Sequence, residues 1–168
     1  MFKLNKIKDM SKINLIKYVD LATPELIVGA VENLEPMEGF REDFHILHCL
    51  VKIHKPKTFL EIGTNLGTGV SIVYNAGLDY GIKVSSLDLA EEFKDLSLQY
   101  PGKDMIGTRC KIPYTQLLGD SMTFDYESIY PIDGWFIDGE HDYKHAHHES
   151  VQAIKSNAIL IVWHDSDI

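Results

Sequence analysis

The stretch "FLEIGTNLGTGVSIV", residues 59–73, constrains the fold more than any other part of the chain. A short apolar run, "KTFLEI" (57–62), stops at a glycine, and "GTGVSIVYNAG" (67–77) then has the apolar spacing of a helix ending at Gly77. An apolar run bounded by glycine reads as a strand buried on both faces, and a helix directly after it reads as the first half of a βαβ unit.

The same alternation continues downstream. Strands are expected at 82–89, 114–120, 131–138 and 158–165, and helices at 90–100 and 142–156. Pro101-Gly102 ends the first of these helices. Before the glycine turn the chain reads as helical at 11–20, 24–34 and 40–54. Thr23-Pro24-Glu25 is a start signal for the second, with Thr as N-cap and Pro in the first turn, and Phe40, Phe44, Leu47, Leu50 and Val51 fall at helical spacing in the third. The expected fold is α/β: a Rossmann-like, doubly wound, mostly parallel sheet with helices on both faces. Residues 1–54 form an N-terminal helical extension, serving as a lid or dimer surface, and residues 55–168 form the sheet domain.

In open parallel sheets, ligands bind beyond the carboxyl ends of the strands. Every expected strand end here carries a carboxylate: Glu61, Asp88, Asp120, Asp138 and Asp165. The glycines run G-x-x-x-G-x-G, neither the dinucleotide pattern nor the P-loop, and no Lys follows them, which speaks against a triphosphate. Glu61, just before the turn, would repel a pyrophosphate and suits an ammonium group. Asp88 suits the two hydroxyls of a ribose. A ligand with a ribose and an amino-acid-like cationic end is S-adenosylmethionine.

With these residues in place, the chain resembles the class I S-adenosylmethionine-dependent methyltransferases, in particular the small-molecule O-methyltransferase-like branch. "EIGTNLG" (61–67), "SLDLA" (86–90), "LLGDS" (117–121), "WFIDGEHDY" (135–143) and "IVWHD" (161–165) carry the resemblance, in order. It implies that Glu61, Gly63, Thr64 and Gly67 line the methionine end of the cofactor. Asp88 would bind the ribose with Leu89 beside the adenine, and Asp120 and Ser121 would contact the adenine. Asp138 would face the methyl group and the acceptor. In metal-dependent members, carboxylates at the ends of the fourth and fifth strands hold a divalent cation such as Mg2+; here those are Asp138 and Asp165. Alternatively His141 or His164 is a general base without metal, so Asp138, His141 and His164 are the catalytic candidates.

Two departures stand beside the resemblance. Ser156-Asn157-Ala158 replaces the family's Gly-Gly turn before the fifth strand, and the family's further C-terminal strands are expected to be missing after Ile168. A truncated, inactive cofactor-binding module or subunit is therefore the alternative reading, and a metal-dependent hydrolase using Asp138, His141, His164 and Asp165 is the third. His141, His145 and His148 are spaced to share a helix face that either chelates a metal or is a solvated polar surface. Trp135, Trp163 and Tyr143 either wall a pocket or pack in the sheet core.

Composition bounds the partners. The 168 residues carry 25 acidic and 16 basic side chains for a net charge of −9, the wrong sign for a phosphate backbone, so no nucleic-acid partner is expected. No apolar run approaches the roughly 20 residues of a membrane span. Cys49 and Cys110 read as reduced thiols of a cytoplasmic protein. The expected partner is a small-molecule hydroxyl acceptor, with a homodimer left open.

Overall fold

The computed structural model describes Glu25, residues 42–89 and residues 106–164. The helices expected at 11–20 and 90–100 lie outside them, as does all of 24–34 except Glu25, which is helical. The described elements run α1 (Glu42–His54), β1 (Thr58–Ile62), α2 (Thr68–Gly77), β2 (Lys83–Asp88), β3 (Thr115–Leu118), β4 (Gly134–Ile137), α3 (Tyr143–Lys155) and β5 (Leu160–Trp163). All five strands pair in parallel in the order β3-β2-β1-β4-β5. The chain first winds outward from β1 to β3, then returns to lay β4 on the other side of β1. The switch in direction lies between β1 and β4, where a doubly wound sheet opens its ligand crevice.

The pleat sends alternate side chains to opposite faces. Phe59 of β1 and Phe136 of β4 join Leu47 and Val51 of α1 and Val70, Ile72, Val73 and Ala76 of α2 in one buried cluster. Leu60, Ile62 and Trp135 face the other way and pack with Tyr126, Ile132 and Ala153 of α3. Both faces of the sheet are thus covered, which is why its strands read as nearly continuous apolar runs. Trp135 is wholly buried, with Nε1 donating to Ser156 Oγ at 3.0 Å. Of the two readings of this residue, packing in the core is the one observed.

Strand β4 begins later than the expected residue 131. The Asp133 carboxylate instead accepts from the backbone N–H groups of Lys57 at 2.8 Å and Thr58 at 3.2 Å, fastening the entry of β1. The missing Gly-Gly turn has a physical replacement. Asn157 adopts φ +58°, in the left-handed region that Asn tolerates better than other side-chain-bearing residues. Beside it, Ser156 Oγ donates to the helix end (Ala153 O, 2.8 Å) or to the loop before β4 (Ile132 O, 3.0 Å).

Candidate functional site

The parallel register lines up the strand ends on one rim. Ile62 pairs with both Leu87 and Ile137, Asp88 with Leu118, and Ile137 with Trp163. Gly119, Asp88, Gly63, Asp138 and His164 therefore follow one another along the carboxyl edge. Two adjoining cavities open there. The larger, about 410 Å³, is lined by Gly63, Asp88, Leu89, Asp120, Ser121, Asp138, His141 and neighbouring residues. The smaller, about 320 Å³, is lined by Glu61, Gly63, Thr64, Gly69, Asp138, His141 and His164, among others. Gly63, Asn65, Asp138 and His141 belong to both walls.

The glycine turn makes this junction possible. Gly63 has φ +94°, and a Cβ there would run into the carbonyl of Asp138. A side chain at Gly63 would thus push β1 and β4 apart at the switch point. Gly69, in the first turn of α2, leaves room for the Glu61 carboxylate, since a Cβ on it would meet Glu61 Oε1. Gly67 lines neither cavity. It caps α2 at φ +88° and packs against Gly107 and Cys110.

Glu61 shares the α2 face of the sheet with Phe59 and is only 2% exposed. A directed chain of hydrogen bonds ends on it: Gln116 Nε2 donates to Thr64 Oγ1 (2.9 Å), Thr64 to Ser86 Oγ (2.7 Å), and Ser86 to Glu61 Oε2 (2.8 Å). Ser86 donates to the carboxylate, so the shared Thr64–Ser86 proton belongs to Thr64. Burial raises the Glu61 pKa well above the usual carboxylate range; the Ser86 hydrogen bond opposes this, while the charges of Asp138 and Asp88 add to it. Gln116 carries no motif signature, Ser86 opens "SLDLA" with no role of its own assigned there, and only strand pairing brings them to Glu61.

Asp88 is held by backbone donors. Its Oδ2 accepts from Asn65 N at 2.8 Å and its Oδ1 from Leu89 N at 2.7 Å. These bonds lower its pKa, but burial outweighs them and raises it. Each oxygen keeps a further lone pair for a ligand hydroxyl. Asp120 Oδ1 accepts from Met122 N at 2.8 Å, which shapes the turn presenting Asp120 and Ser121 to the larger cavity.

Asp138, His141 and His164 meet above the switch point, with one nitrogen or oxygen atom from each lying within 4.8 Å of the others. His164 Nδ1 is 3.0 Å from Asp138 Oδ1, and His141 Nε2 is 4.0 Å from the same oxygen. The other ring nitrogen of His164, Nε2, is 2.9 Å from Asp43 Oδ2 on α1. Asp43 was not among the candidates read from the sequence. It reaches His164 across the fold, and no local pattern announces it. Asp165, the other expected metal ligand, lies outside the described residues. Trp163, Tyr143 and His148 line neither cavity, whereas His145 borders the larger one. His145 Nδ1 stands 2.9 Å from Asp142 Oδ1 at the cap of α3.

Solved structures with the same architecture include an S-adenosylhomocysteine-bound methyltransferase, PaMTH1, from Podospora anserina. It is 15% identical with a TM-score of 0.53, over 73% of this chain and 52% of that one. A putative O-methyltransferase from Klebsiella pneumoniae is 17% identical with a TM-score of 0.50, over 87% and 63%. TomG, an O-methyltransferase from Streptomyces achromogenes in complex with S-adenosylmethionine, is 16% identical with a TM-score of 0.50, over 89% and 66%. This chain has the class I methyltransferase fold. It spans about half to two thirds of the length of these methyltransferases. No family model matches the chain, and no curated protein does. Among the described residues, no helix is long and apolar enough to cross a membrane.

Proposed function

We propose that the chain is the S-adenosylmethionine-binding domain of a methyltransferase that acts on an oxygen of a small hydroxyl compound. The observation that carries this reading is the pairing of two carboxylates on the adjacent strands β1 and β2, beside the switch point. Asp88 is anchored by backbone N–H groups at the end of β2, and Glu61 is buried beside the α2 N-terminus in the adjoining cavity. Burial raises the pKa of both, and at Glu61 the charges of Asp138 and Asp88 add to it, a strain that a ligand carrying an ammonium relieves.

In this reading Asp88 accepts the ribose hydroxyls, Leu89 packs on the base, and Asp120 and Ser121 border it. Glu61 accepts from the amino group, and Gly63 and Thr64 shape the wall between. The bound cofactor supplies an electrophilic methyl group on a sulfonium. The protein's work is to hold an acceptor oxygen in line with that methyl group, with proximity and orientation as the main contributions. The Asp138–His141–His164 cluster, which lines the smaller cavity, orients the acceptor hydroxyl and receives its proton. The acidic rim and the net charge of −9 favour a small neutral acceptor over nucleic acid. The two free thiols, Cys49 and Cys110, support the cytoplasm as the compartment.

Calorimetric titration with S-adenosylmethionine and S-adenosylhomocysteine, in chelator, tests the cofactor reading. Asp88→Ala is expected to weaken binding by about 10–100-fold, the worth of hydrogen bonds to a charged acceptor. Absence of binding to the wild-type chain at millimolar cofactor would overturn the reading. Methyl transfer to a panel of hydroxyl compounds then separates an active domain from a binding module.

A further inference from the structure

Among the described residues, the cluster at the switch point offers donors unlike the all-oxygen set of the cation implied by the resemblance, whose other expected ligand, Asp165, lies outside them. Mg2+ takes oxygen ligands in a near-ideal octahedron and keeps several waters. Around Asp138 the described residues instead place two imidazoles, those of His141 and His164. One carboxylate with two imidazoles suits a first-row transition ion, and three such ligands leave coordination positions open.

We propose that Asp138 Oδ1, His141 Nε2 and His164 Nδ1 form a binding site for a nitrogen-preferring divalent ion of the Zn2+, Fe2+ or Co2+ class. Three observations beyond the residue types support it. The first is proximity: the three groups come within 4.8 Å of one another, while bonds of about 2.0–2.2 Å set ligand atoms about 3.4 Å apart. Small rotations about the side-chain torsions of Asp138 and His141 close that difference, and His141 is 42% exposed and has room to move.

The second is the outer partner. Metal-ligating histidines generally give their other ring N–H to a carboxylate, which fixes tautomer and ring orientation. Asp43 Oδ2 stands 2.9 Å from His164 Nε2, which leaves Nδ1 to face Asp138. The third is the field. Asp138 is close enough to Glu61 to raise its pKa, so the cluster sits in a region where a cation is favoured. The ion's open positions would face the smaller cavity, which Asp138, His141 and His164 all line.

The inference deepens the methyltransferase reading, because the same cluster faces the acceptor. The ligand role and a general-base role draw on the same lone pair of His141 Nε2, so an ion titration also decides which of the two His141 performs.

The test uses the untagged chain, stripped with chelator and titrated without S-adenosylmethionine. Co2+ is followed by its visible absorption, Zn2+ by competition against Co2+, and Mg2+ by calorimetry. Co2+ and Zn2+ are expected to bind one per chain, with Mg2+ weaker by on the order of 100-fold. His141→Ala and Asp138→Asn are expected to lose at least about tenfold in Co2+ affinity, and Asp43→Asn about 10–100-fold, with the thermal unfolding of each apo variant checked first. His147→Ala, on the exposed face of α3, is expected to bind Co2+ as the wild type does. Three outcomes overturn the proposal: no Co2+ binding at millimolar ion, Mg2+ as tight as Co2+, or Co2+ affinity unchanged in His141→Ala. Cofactor binding in chelator is measured separately, so loss of the ion site and loss of the methyltransferase reading give different results.

Discussion

Glu149 illustrates how one buried group makes the fold sensitive to pH. It lies on α3 facing the sheet, fully buried, and neither carboxylate oxygen makes a hydrogen bond of good geometry. The Ser121 hydroxyl interacts only enough to oppose, in part, the larger effect of burial, which pushes the pKa up from 4.5 to about 7. The folded state therefore holds this proton more tightly than the unfolded chain does. Stability from the group is complete below pH 4.5 and is lost as pH rises to about 7, a decline of about 3 kcal/mol. Glu149→Gln is expected to flatten that part of the profile and to raise the unfolding free energy at pH 8. Urea denaturation of both chains at pH 5 and pH 8 checks it, and an equal slope in the two would refute it.

Among the elements, the turn from α3 into β5 shows a local rule kept by different residues. A left-handed residue is needed to reverse the chain after the helix, and Asn157 supplies it at φ +58° where a glycine would serve. Asn157→Gly is expected to change stability by less than about 0.5 kcal/mol, whereas Asn157→Val, β-branched in a left-handed conformation, is expected to cost about 1–3 kcal/mol. Thermal unfolding of the pair measures the difference. The N-terminus of α2 obeys a steric rule instead. Gly69→Ala would press its methyl group on Glu61 Oε1, on a carboxylate whose other oxygen, Oε2, the Ser86 hydroxyl already holds. A cost of about 1–3 kcal/mol in stability is expected, together with weaker cofactor binding, because the carboxylate must shift.

For the whole molecule, ligand binding and stability are linked through the switch point. Three carboxylates, Glu61, Asp88 and Asp138, crowd a seam joining both halves of the sheet. A ligand that occupies the seam stabilises every strand around it. S-adenosylmethionine at 100 times its dissociation constant is expected to add about 2.7 kcal/mol, read as a rise in Tm of about 5–11 °C that falls to about 1–6 °C in Asp88→Ala at the same cofactor concentration. A cofactor-induced rise of the same size in Asp88→Ala would place the binding elsewhere.

The sheet and its rim were legible in the linear order of residues because their signals are local. Apolar runs ending in glycine mark strands, a 3.6-residue spacing marks helices, and a carboxylate at or near the end of each strand lands close to one edge once the strands run parallel. Glu61, Asp88, Asp120 and Asp138 could be singled out from that rule alone, and the meeting of Asp138, His141 and His164 could be anticipated from adjacent strand ends. What lay beyond the sequence depends on side-chain direction and on distant pairing. Gly67 turned inward to Cys110 and Gly107 because the cap geometry of α2 aims it there. The Gln116–Thr64–Ser86–Glu61 chain exists only because β1, β2 and β3 are adjacent and in register. Asp43 and His164, separated by 121 positions, touch because α1 packs beside β5 on the shared core face. Periodicity describes each segment's own backbone, whereas contacts between distant side chains are set by packing one segment on another, and only the folded chain contains them.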